Sequence, residues 1–397
     1  MTNTTSAPSP AAAGEGIALI AGEASGDNLG GALLDALHVR EPGLRTFGVA
    51  GPRMVAAGCE RWVDAEELAV MGLAEILRHL PRLLRLRRDL VARLLAARPD
   101  VFVGIDSPEF NLRVASQLKA RGIPTVQYVS PQVWAWRQGR VRTIGRSVDL
   151  ILCVLPFESR FYEQHAVRAV FVGHPLADRI PLDSPSGPAR ATLGLDSAAP
   201  TIAVLPGSRR GEIEKLGAPF AATVAWLYAR RPDLRFVAPM ANAAARAGFT
   251  ASLALHAPGA PVTVIDGRAQ EALAASDAVL VTSGTATLEA ALIKRPMVVA
   301  YRFAPMTAWL MRRLKLMKAE FFAHPNLLAG RQVVPEYLQE EVRPEVLGPA
   351  LLAQLERPDH AELVATYTDI HHTLRRDASA RAADAILELR SQRFGRR

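Results

Sequence analysis

The amino-acid sequence predicts an α/β protein with two Rossmann-like parallel-sheet domains that face a cleft. Short apolar runs alternate with longer helical patterns, and the series pauses once, near 180–198, before it starts again. Runs that are apolar on both faces and separated by helices indicate parallel sheets covered on both sides. A chain of 397 residues with 49% hydrophobic content can fill two such cores.

The predicted strands form two series. The first is IALIA from 17, VFVGI from 101, TVQYV from 125, LILCVL from 150 and AVFVG from 169. The second is TIAVLP from 201, RFVAPM from 235, VTVID from 262, AVLVT from 278 and MVVAY from 297. We therefore place an N-terminal domain at 14–185 and a C-terminal domain at 199–358. Residues 1–13 are expected to form a disordered tail, and helices within 359–397 are expected to pack back on the N-terminal domain.

The composition limits the possible partners and compartments. A formal net charge of +8 suits nucleic acid, an anionic membrane surface or phosphorylated substrates, although arginine abundance can also reflect genome composition. Cys59 and Cys153 have no metal-ligand spacing, which indicates buried thiols in a reducing compartment. No apolar run reaches the ~18 residues of a transmembrane helix, so we expect a soluble or peripheral protein.

The loop after the first strand, GEASGDNLGG from 22, is rich in glycine but matches no nucleotide motif. It lacks the G-x-G-x-x-G spacing and the lysine of a P-loop, and Glu23 and Asp27 would repel a pyrophosphate. Carboxylates, Ser25 and backbone N–H groups suit the hydroxyl groups of a sugar. The alternative is a tight turn in which Asp27 or Ser25 caps a helix.

Other strand ends of the N-terminal half carry candidate catalytic groups. Ligands in such sheets bind beyond the carboxyl ends of the strands. Asp106, in VFVGIDSPEFN, is either a general base or an aspartate that forms a Ser-Pro turn. His174, in FVGHPLAD, either faces the cleft or is a satisfied structural histidine.

An aromatic segment follows the strand TVQYV. Paired tryptophans beside an arginine suit a sugar-phosphate face or a lipid interface, although one of the two could equally fill the core. The candidate residues for contact with a sugar in this segment are Gln132, Trp134, Trp136 and Arg137.

Two strand-to-helix junctions of the C-terminal half suit a nucleotide diphosphate. In TIAVLPGSRRGEIEKL, free N–H groups, a hydroxyl and a guanidinium are expected to converge, and arginine pairs bidentately with phosphate. In AVLVTSGTATLEAALI, the helix dipole favours negative charge, and Glu289 can accept hydrogen bonds from a ribose diol. The other predicted nucleotide contacts are Pro206, Gly207, Ser208, Arg209, Ser283, Gly284 and Thr285.

No metal or resident cofactor is predicted. The chain contains no D-x-D motif and no cluster of His or Cys at metal-ligand spacing, and His371 and His372 are expected to be surface residues. We therefore expect a reaction that needs no metal, in which Arg209 and helix N-termini stabilise a leaving group.

Seven motifs together resemble the lipid-A-disaccharide synthases. They are GEASGD, GIDSPEFN, SPQVWAWR, VGHPLAD, LPGSRRGEI, SGTATLEAAL and PNLLAGRQVVPEYLQ, in that order, over about residues 17–385. The resemblance implies the GT-B arrangement of two Rossmann-like domains. It also implies an inverting transfer from UDP-2,3-diacylglucosamine to 2,3-diacylglucosamine 1-phosphate, which gives a β-1,6-linked disaccharide 1-phosphate and UDP. The family's functional positions fall on Glu23, Asp106, Arg209, Glu289 and Asn326.

Acylated substrates would require an apolar, basic surface. Residues near 70–98 and 306–318 mix leucines with arginines and lysines, so we expect association with the anionic inner leaflet from the cytoplasmic side. The ordinary alternative for the helix near 82–95 is an apolar face buried in the core. The chain has no basic stripe interleaved with aromatic residues of an RNA-binding kind, so we expect no nucleic-acid partner. The alternative functions are a different UDP-sugar enzyme, such as an epimerase or a peptidoglycan-type transferase, and a non-catalytic basic membrane-binding protein. The oligomeric state, including a homodimer, stays open.

Overall fold

A computed structural model describes residues 16–68, 73–136, 138–304, 313 and 320–394. The chain divides into two compact units, one formed by 1–175 with 376–397 and the other by 176–375. The tail predicted at 1–13 lies outside the described residues. In the described part of the chain, no helix combines the length and the hydropathy needed to cross a bilayer.

The first unit is built on a parallel sheet of seven strands in the order β3-β2-β1-β4-β5-β6-β7. The strands are β1 (Ile17–Ala21), β2 (Thr46–Ala50), β3 (Glu60–Asp64), β4 (Val101–Ile105), β5 (Thr125–Tyr128), β6 (Leu150–Cys153) and β7 (Ala169–Phe171). The helices are α1 (Ala24–Arg40), α2 (Pro52–Ala56), α3 (Leu73–Ala97), α4 (Pro108–Lys119), α5 (Val133–Trp136), α6 (Val141–Ser147) and α7 (Pro156–Glu163). Because β1 lies between β2 and β4, the chain reverses its direction across the sheet at β1 and β4.

Two strands of the first unit, β2 and β3, were absent from the sequence-based prediction. The β2 segment TFGVA contains Gly48, whose φ is 143° and where a Cβ would lie 2.0 Å from the carbonyl oxygen of Leu19. The β3 segment ERWVD is half exposed at the sheet edge and carries charged residues. Neither segment therefore has the continuous apolar character of the central strands.

The second unit has a parallel sheet of six strands in the order β10-β9-β8-β11-β12-β13. The strands are β8 (Thr201–Leu205), β9 (Arg235–Met240), β10 (Val262–Asp266), β11 (Ala278–Thr282), β12 (Met297–Tyr301) and β13 (Glu336–Leu338). The helices are α8 (Pro175–Arg179), which begins at the unit boundary, α9 (Ser186–Leu193), α10 (Arg210–Arg230), α11 (Ala243–His256), α12 (Ala269–Ala275), α13 (Thr285–Leu292), α14 (His324–Ala329), α15 (Pro344–Leu355) and α16 (Ala361–Leu374). In this sheet, the chain reverses its direction across the sheet between β8 and β11.

The predicted class, two Rossmann-like parallel-sheet domains of the GT-B type, is confirmed.

The stretch 180–198 contains α9 and groups with the second unit. The side chain of Arg190, on α9, is buried and donates to Asp277 at 2.6 Å and to the carbonyl oxygen of Ala275 at 2.8 Å. A charged residue with these partners stabilises the packed helix, because a buried guanidinium needs all its donors satisfied.

The last helix, α17 (Ala378–Phe394), belongs to the first unit, whereas α16 belongs to the second. On α17, Arg390 donates to Asp100 at 3.1 Å and pairs with Glu41. Asp100 is 2% exposed and also accepts the N–H of Gly16 at 3.1 Å. These contacts fix α17 at the amino ends of β1 and β4.

His371 corrects the expectation that both histidines of α16 lie at the surface. Its ring is fully buried, with Nε2 at 3.0 Å from the carbonyl oxygen of Ala177 and Nδ1 beside Lys294. His372 is exposed, as expected. Burial lowers the pKa of both His371 and Lys294, the latter to about 8. Sequence analysis does not indicate this contact, because its partners lie far away along the chain.

Candidate active site

The loops after β1 and β4 meet at the reversal point of the first sheet. Ala21 and Ile105, the last residues of these strands, are paired in register. Ser25 Oγ donates to Asp106 Oδ2 at 3.4 Å, and Asp106 is half-buried. Glu23 is the exposed N-cap residue of α1. The structure thus brings together Ser25 and Asp106 from positions 81 residues apart, with Glu23 two residues before Ser25.

The backbone at these strand ends is strained. Asp106 and Ser107 have φ values of 53° and 38°, and Val129 after β5 has a φ of 70°. A positive φ is unfavourable for residues other than glycine and most of all for a β-branched residue. Strain of this kind is concentrated at functional sites, where the surrounding structure enforces it.

Asp27 has a structural role as a helix cap, which was the alternative to the predicted contact with a sugar hydroxyl. It is 4% exposed, and its carboxylate accepts the N–H groups of Gly51 at 2.9 Å, Arg53 at 2.9 Å and Met54 at 3.0 Å. These N–H groups open α2, so Asp27 caps a helix other than its own. Both oxygens of the carboxylate accept hydrogen bonds from the backbone. The exposed side chains of this loop that could contact a ligand are therefore Glu23 and Ser25.

The aromatic segment rests on a buried carboxylate that sequence analysis missed. Trp134 Nε1 donates to Glu158 Oε1 at 3.2 Å, and the indole meets Phe157 edge-on at 4.8 Å between ring centroids. Burial raises the pKa of Glu158 to about 7, against the opposing effects of N–H donors from Leu155 and Trp134. The first member of the segment, Gln132, is exposed.

The side chain of Trp136 and all of Arg137 lie outside the described residues. His174 follows β7, directly before α8, and it is half-buried and has an interaction partner in the structure.

The loop after β8, the first predicted phosphate site, differs in one respect from the prediction. The N–H groups of Ser208 and Arg209 are not free, because Glu212 Oε2 accepts them at 2.9 and 3.2 Å. Gly207, with a φ of 128°, leaves space for this carboxylate, since a Cβ there would lie 2.6 Å from Glu212 Oε2. Pro206 is buried, and Arg209 is exposed. An anion that uses these N–H groups must displace Glu212.

A groove with a volume of about 730 Å³ adjoins this loop. Asn242 lies between the two, because it lines the groove and its Nδ2 donates to the carbonyl oxygen of Ser208 at 3.0 Å. The ion pair of Arg246 with Asp266, at 3.0 Å, also lines the groove. This volume is in the usual range of small-molecule pockets.

The loop after β11, the second predicted phosphate site, keeps its N–H groups available. Ser283 Oγ donates to the carbonyl oxygen of Phe322 at 2.9 Å, which fixes the loop. Within the described residues, nothing accepts the N–H groups of Gly284, Thr285 or Ala286. Leu205 and Val281 are paired in register, so this loop and the loop after β8 flank the reversal point of the second sheet.

Glu289 lies one turn into α13, the helix that begins at these N–H groups. Gln270 Nε2 donates to Glu289 Oε1 at 3.3 Å. Burial raises the pKa of Glu289, while Gln270 and the positive charge of Arg179 act in the opposite direction. A half-buried carboxylate with one weak partner can still accept hydrogen bonds from a diol.

Asn326 is fully buried, and its side-chain amide is saturated. Oδ1 accepts the N–H groups of Val333 at 2.7 Å and Val334 at 2.9 Å, while Nδ2 donates to Glu336 at 2.6 Å and to the carbonyl oxygen of Val334 at 2.9 Å. Glu336, another residue that sequence analysis missed, also accepts the N–H of Phe322 at 2.9 Å. Asn326 therefore organises the loop that supports Ser283.

The two units offer complementary chemistry. The first presents a carboxylate, Asp106, beside a hydroxyl at its sheet reversal, which suits proton abstraction from an alcohol. The second presents the N–H groups at the start of α13 and the guanidinium of Arg209, which suit a diphosphate. In the described part of the chain, no three His, Cys, Asp or Glu side chains come together in a group that could hold a metal ion.

Sequence comparisons identify relatives over nearly the whole chain. A family model described as lipid-A-disaccharide synthetase matches residues 17–389. The lipid-A-disaccharide synthase of Alkalilimnicola ehrlichii is 54% identical over 374 residues, which cover 94% of this chain and 97% of the relative. The lipid-A-disaccharide synthase of Pseudomonas aeruginosa is 51% identical and covers 95% of this chain and 98% of the relative. The resemblance carried by the seven motifs is confirmed.

Solved structures share the fold at low identity. The UDP-GlcNAc 2-epimerase of Neisseria meningitidis bound to UDP-GlcNAc has a TM-score of 0.63 at 11% identity, covering 94% of this chain and 99% of that one. The glycosyltransferase of kitacinnamycin has a TM-score of 0.61 at 18% identity, covering 95% and 99%. At these identities the likeness establishes the fold alone.

Proposed function

The chain belongs to the lipid-A-disaccharide synthase family, and we propose that it joins UDP-2,3-diacylglucosamine to 2,3-diacylglucosamine 1-phosphate, with release of UDP. The observation that carries this proposal is the identity of 54% over 94% of the chain with a synthase of that name. The product is a β-1,6-linked disaccharide 1-phosphate, and the reaction inverts the anomeric carbon of the donor.

Asp106 is the proposed general base. The acceptor 6-hydroxyl is a poor nucleophile at neutral pH, so its proton must pass to a group within hydrogen-bond reach. The Asp106 carboxylate takes that proton as the oxygen attacks the anomeric carbon and the bond from that carbon to the diphosphate breaks. Support comes from the position of Asp106 at the sheet reversal and its contact with Ser25. Glu23 and His174 are the reserve candidates.

The second unit holds the donor in this proposal. The diphosphate lies at the N–H groups of 284–286 and beside the guanidinium of Arg209, which stabilise the charge that develops on UDP. Glu289 accepts hydrogen bonds from the ribose, and the groove beside Ser208 takes the nucleoside. No metal is assigned a role, because the helix N-termini and Arg209 supply the positive potential.

The acceptor face is formed by the exposed loop residues Glu23 and Ser25 with the aromatic segment around Gln132 and Trp134. For the acyl chains, we propose that the exposed part of α3 contacts the inner leaflet from the cytoplasmic side. Leu80 and Leu84 are 40% and 42% exposed there. Their arginine neighbours, which are also exposed, are Arg82, Arg85 and Arg88. Of the predicted segments near 70–98 and 306–318, residues 70–72, 306–312 and 314–318 lie outside the described residues.

The alternative functions have less support. The likeness to a UDP-GlcNAc 2-epimerase is limited to 11% identity and concerns the fold. A non-catalytic basic protein would not require the paired strand-end sites of the two units.

Incubation with defined substrates tests the proposal. The purified chain should release UDP from UDP-2,3-diacylglucosamine only when 2,3-diacylglucosamine 1-phosphate is present, and mass spectrometry should detect the disaccharide 1-phosphate. UDP-GlcNAc without acyl chains is the control donor. Conversion of UDP-GlcNAc to its 2-epimer, with no disaccharide from the acylated pair, would instead establish an epimerase.

A further inference from the structure

We propose that Asn111 and Gln127 are positioning residues that hold Asp106 in its left-handed conformation and thereby aim its carboxylate at the acceptor hydroxyl. This inference rests on the proposed function, because it assigns a purpose to the geometry around the proposed base. Neither residue was singled out from the sequence, and both side chains are fully buried.

Gln127 joins three carbonyl groups at two strand ends. Its Nε2 donates to the carbonyl oxygen of Asp106 at 2.9 Å and to those of Tyr128 and Val129 at 3.3 Å each. Asp106 and Val129 both have left-handed backbones. One amide group therefore fixes the strained residues that follow β4 and β5.

Asn111, on α4, reaches the same point from the other side. Its Nδ2 donates to the carbonyl oxygen of Asp106 at 2.9 Å, to that of Ile105 at 3.2 Å and to that of Ile20 at 3.4 Å. The space for both amides depends on Gly104, where a Cβ would lie 2.7 Å from Asn111 Cβ and 3.1 Å from Gln127 Oε1. The two amides thus converge on the Asp106 carbonyl.

Together these contacts determine the direction of the Asp106 side chain. The Asp106 N–H donates to the carbonyl oxygen of Tyr128 at 2.9 Å, and the carbonyl oxygen of Asp106 accepts from both amides. With both of its backbone polar groups held, the φ of 53° is enforced, and with it the direction of the Cα–Cβ bond. That direction brings the carboxylate to Ser25 Oγ.

Fold stability alone does not explain the two amides. Asn111 Oδ1 and Gln127 Oε1 are buried, and neither has a hydrogen-bond partner within the described residues. A buried oxygen without a partner is unfavourable, whereas an apolar side chain of the same shape would have no such oxygen. The N–H donors are thus retained at a cost to stability, at the point where the backbone must keep an unfavourable conformation.

A double-mutant cycle tests the inference. Gln127→Met keeps the approximate shape and removes the donors, and we expect it to lower the turnover rate about 10²-fold by misplacing the carboxylate, with UDP affinity unchanged. In the Asp106→Asn background, the same change should cost less than roughly twofold, because there is no longer a base to misplace. Gln117→Met, on the exposed face of α4, is the matched control and should leave the rate unchanged.

Two results would overturn the inference. One is an equal rate loss from Gln127→Met with and without the Asp106 carboxylate, which would indicate a general structural effect. The other is an unchanged rate in Gln127→Met alone. If Gln127→Met does not fold, Asn111→Leu removes the other donor and enters the same cycle.

A crystal structure of the Gln127→Met variant provides a readout that needs no turnover. We expect Asp106 to leave the left-handed region, or its carboxylate to move away from Ser25. An unchanged backbone at 106–107 with the carboxylate still in contact with Ser25 would overturn the inference even if the enzyme makes the proposed product. A wild-type chain that forms no disaccharide would count against the proposed function and would leave the structural result to decide the role of the amides.

Discussion

The indole of Trp134 donates a hydrogen bond of 3.2 Å to Glu158, a carboxylate that is 2% exposed. The aromatic segment of the first unit is therefore attached to a buried acid. Burial raises the pKa of this acid from its ordinary value of 4.5 to about 7.

This pKa shift predicts a pH-dependent stability. Because the folded chain keeps the Glu158 proton where the unfolded chain has lost it, the stabilisation is complete below about pH 4.5 and disappears as the pH rises to about 7. Glu158→Gln lacks this titration, so its melting temperature should improve relative to the wild type between pH 5 and pH 7.5. Thermal unfolding at several pH values measures the difference. Glu163→Gln, exposed on the same helix, is the control, and parallel curves for wild type and Glu158→Gln would contradict the expectation.

The position of the Glu212 carboxylate predicts that substitution of this residue increases the affinity for UDP. Its carboxylate occupies the N–H groups of Ser208 and Arg209, and it repels a diphosphate at that loop. Glu212→Gln keeps an acceptor but removes the charge, so UDP should bind on the order of three- to tenfold more tightly. Calorimetry of UDP binding measures this, with Glu214→Gln as the exposed control on α10. Unchanged or weaker binding would place the diphosphate away from this loop.

The hydrogen bonds of Asn326 predict that its substitution lowers the stability of the second unit and does not remove a nucleotide contact. Asn326→Ala leaves the N–H groups of Val333 and Val334 without their acceptor, and it removes one donor to the Glu336 carboxylate, which keeps the N–H groups of Phe322 and Ala323. Each such buried group costs about 1–3 kcal/mol, so we expect the second unit to lose roughly 3 kcal/mol in denaturant unfolding. Gln332→Ala, exposed in the same loop, should change stability by less than about 0.5 kcal/mol. Normal stability with lost UDP affinity would show instead that Asn326 contacts the nucleotide.

The exposed leucines of α3 predict how the chain binds membranes. Changing both Leu80 and Leu84 to Ser should weaken binding to anionic vesicles about tenfold, because apolar area no longer enters the lipid interface. Added salt should weaken wild-type binding only in part, since it screens the arginines but not apolar burial. Val39→Ser, which changes a valine 79% exposed on α1, is the control in vesicle sedimentation. Equal binding by all variants would exclude this part of α3 as the membrane contact.

The sequence predicted the strands that are apolar on both faces, because their pattern is local. It missed β13, a strand of three residues whose side chains are half-buried at the sheet edge. Ser25, Asp106 and Ser283 were selected because carboxyl ends of parallel strands meet at one edge of a sheet, and their roles stay predictions.

The buried polar groups could not be found in this way. Glu158, Gln127 and Glu336 owe their roles to partners that come together only in the fold, and a single glutamate or glutamine in a sequence indicates an exposed residue. Asp27 shows the converse, since an acidic residue in a glycine-rich loop suggested a sugar contact, but its carboxylate caps α2. The role of each of these side chains depends on partners that are distant along the chain, and neither composition nor residue spacing identifies those partners.

The central claim is that Asp106 of the first unit removes the acceptor proton while the second unit holds UDP. The most direct measurement is the turnover rate of Asp106→Asn together with its affinity for UDP. We expect a rate loss of ~10²–10⁴-fold with unchanged UDP affinity, because the substitution removes the base and leaves the donor site intact. Near-normal turnover in Asp106→Asn, with large losses in Glu23→Gln or His174→Ala, would contradict the claim and place the base elsewhere.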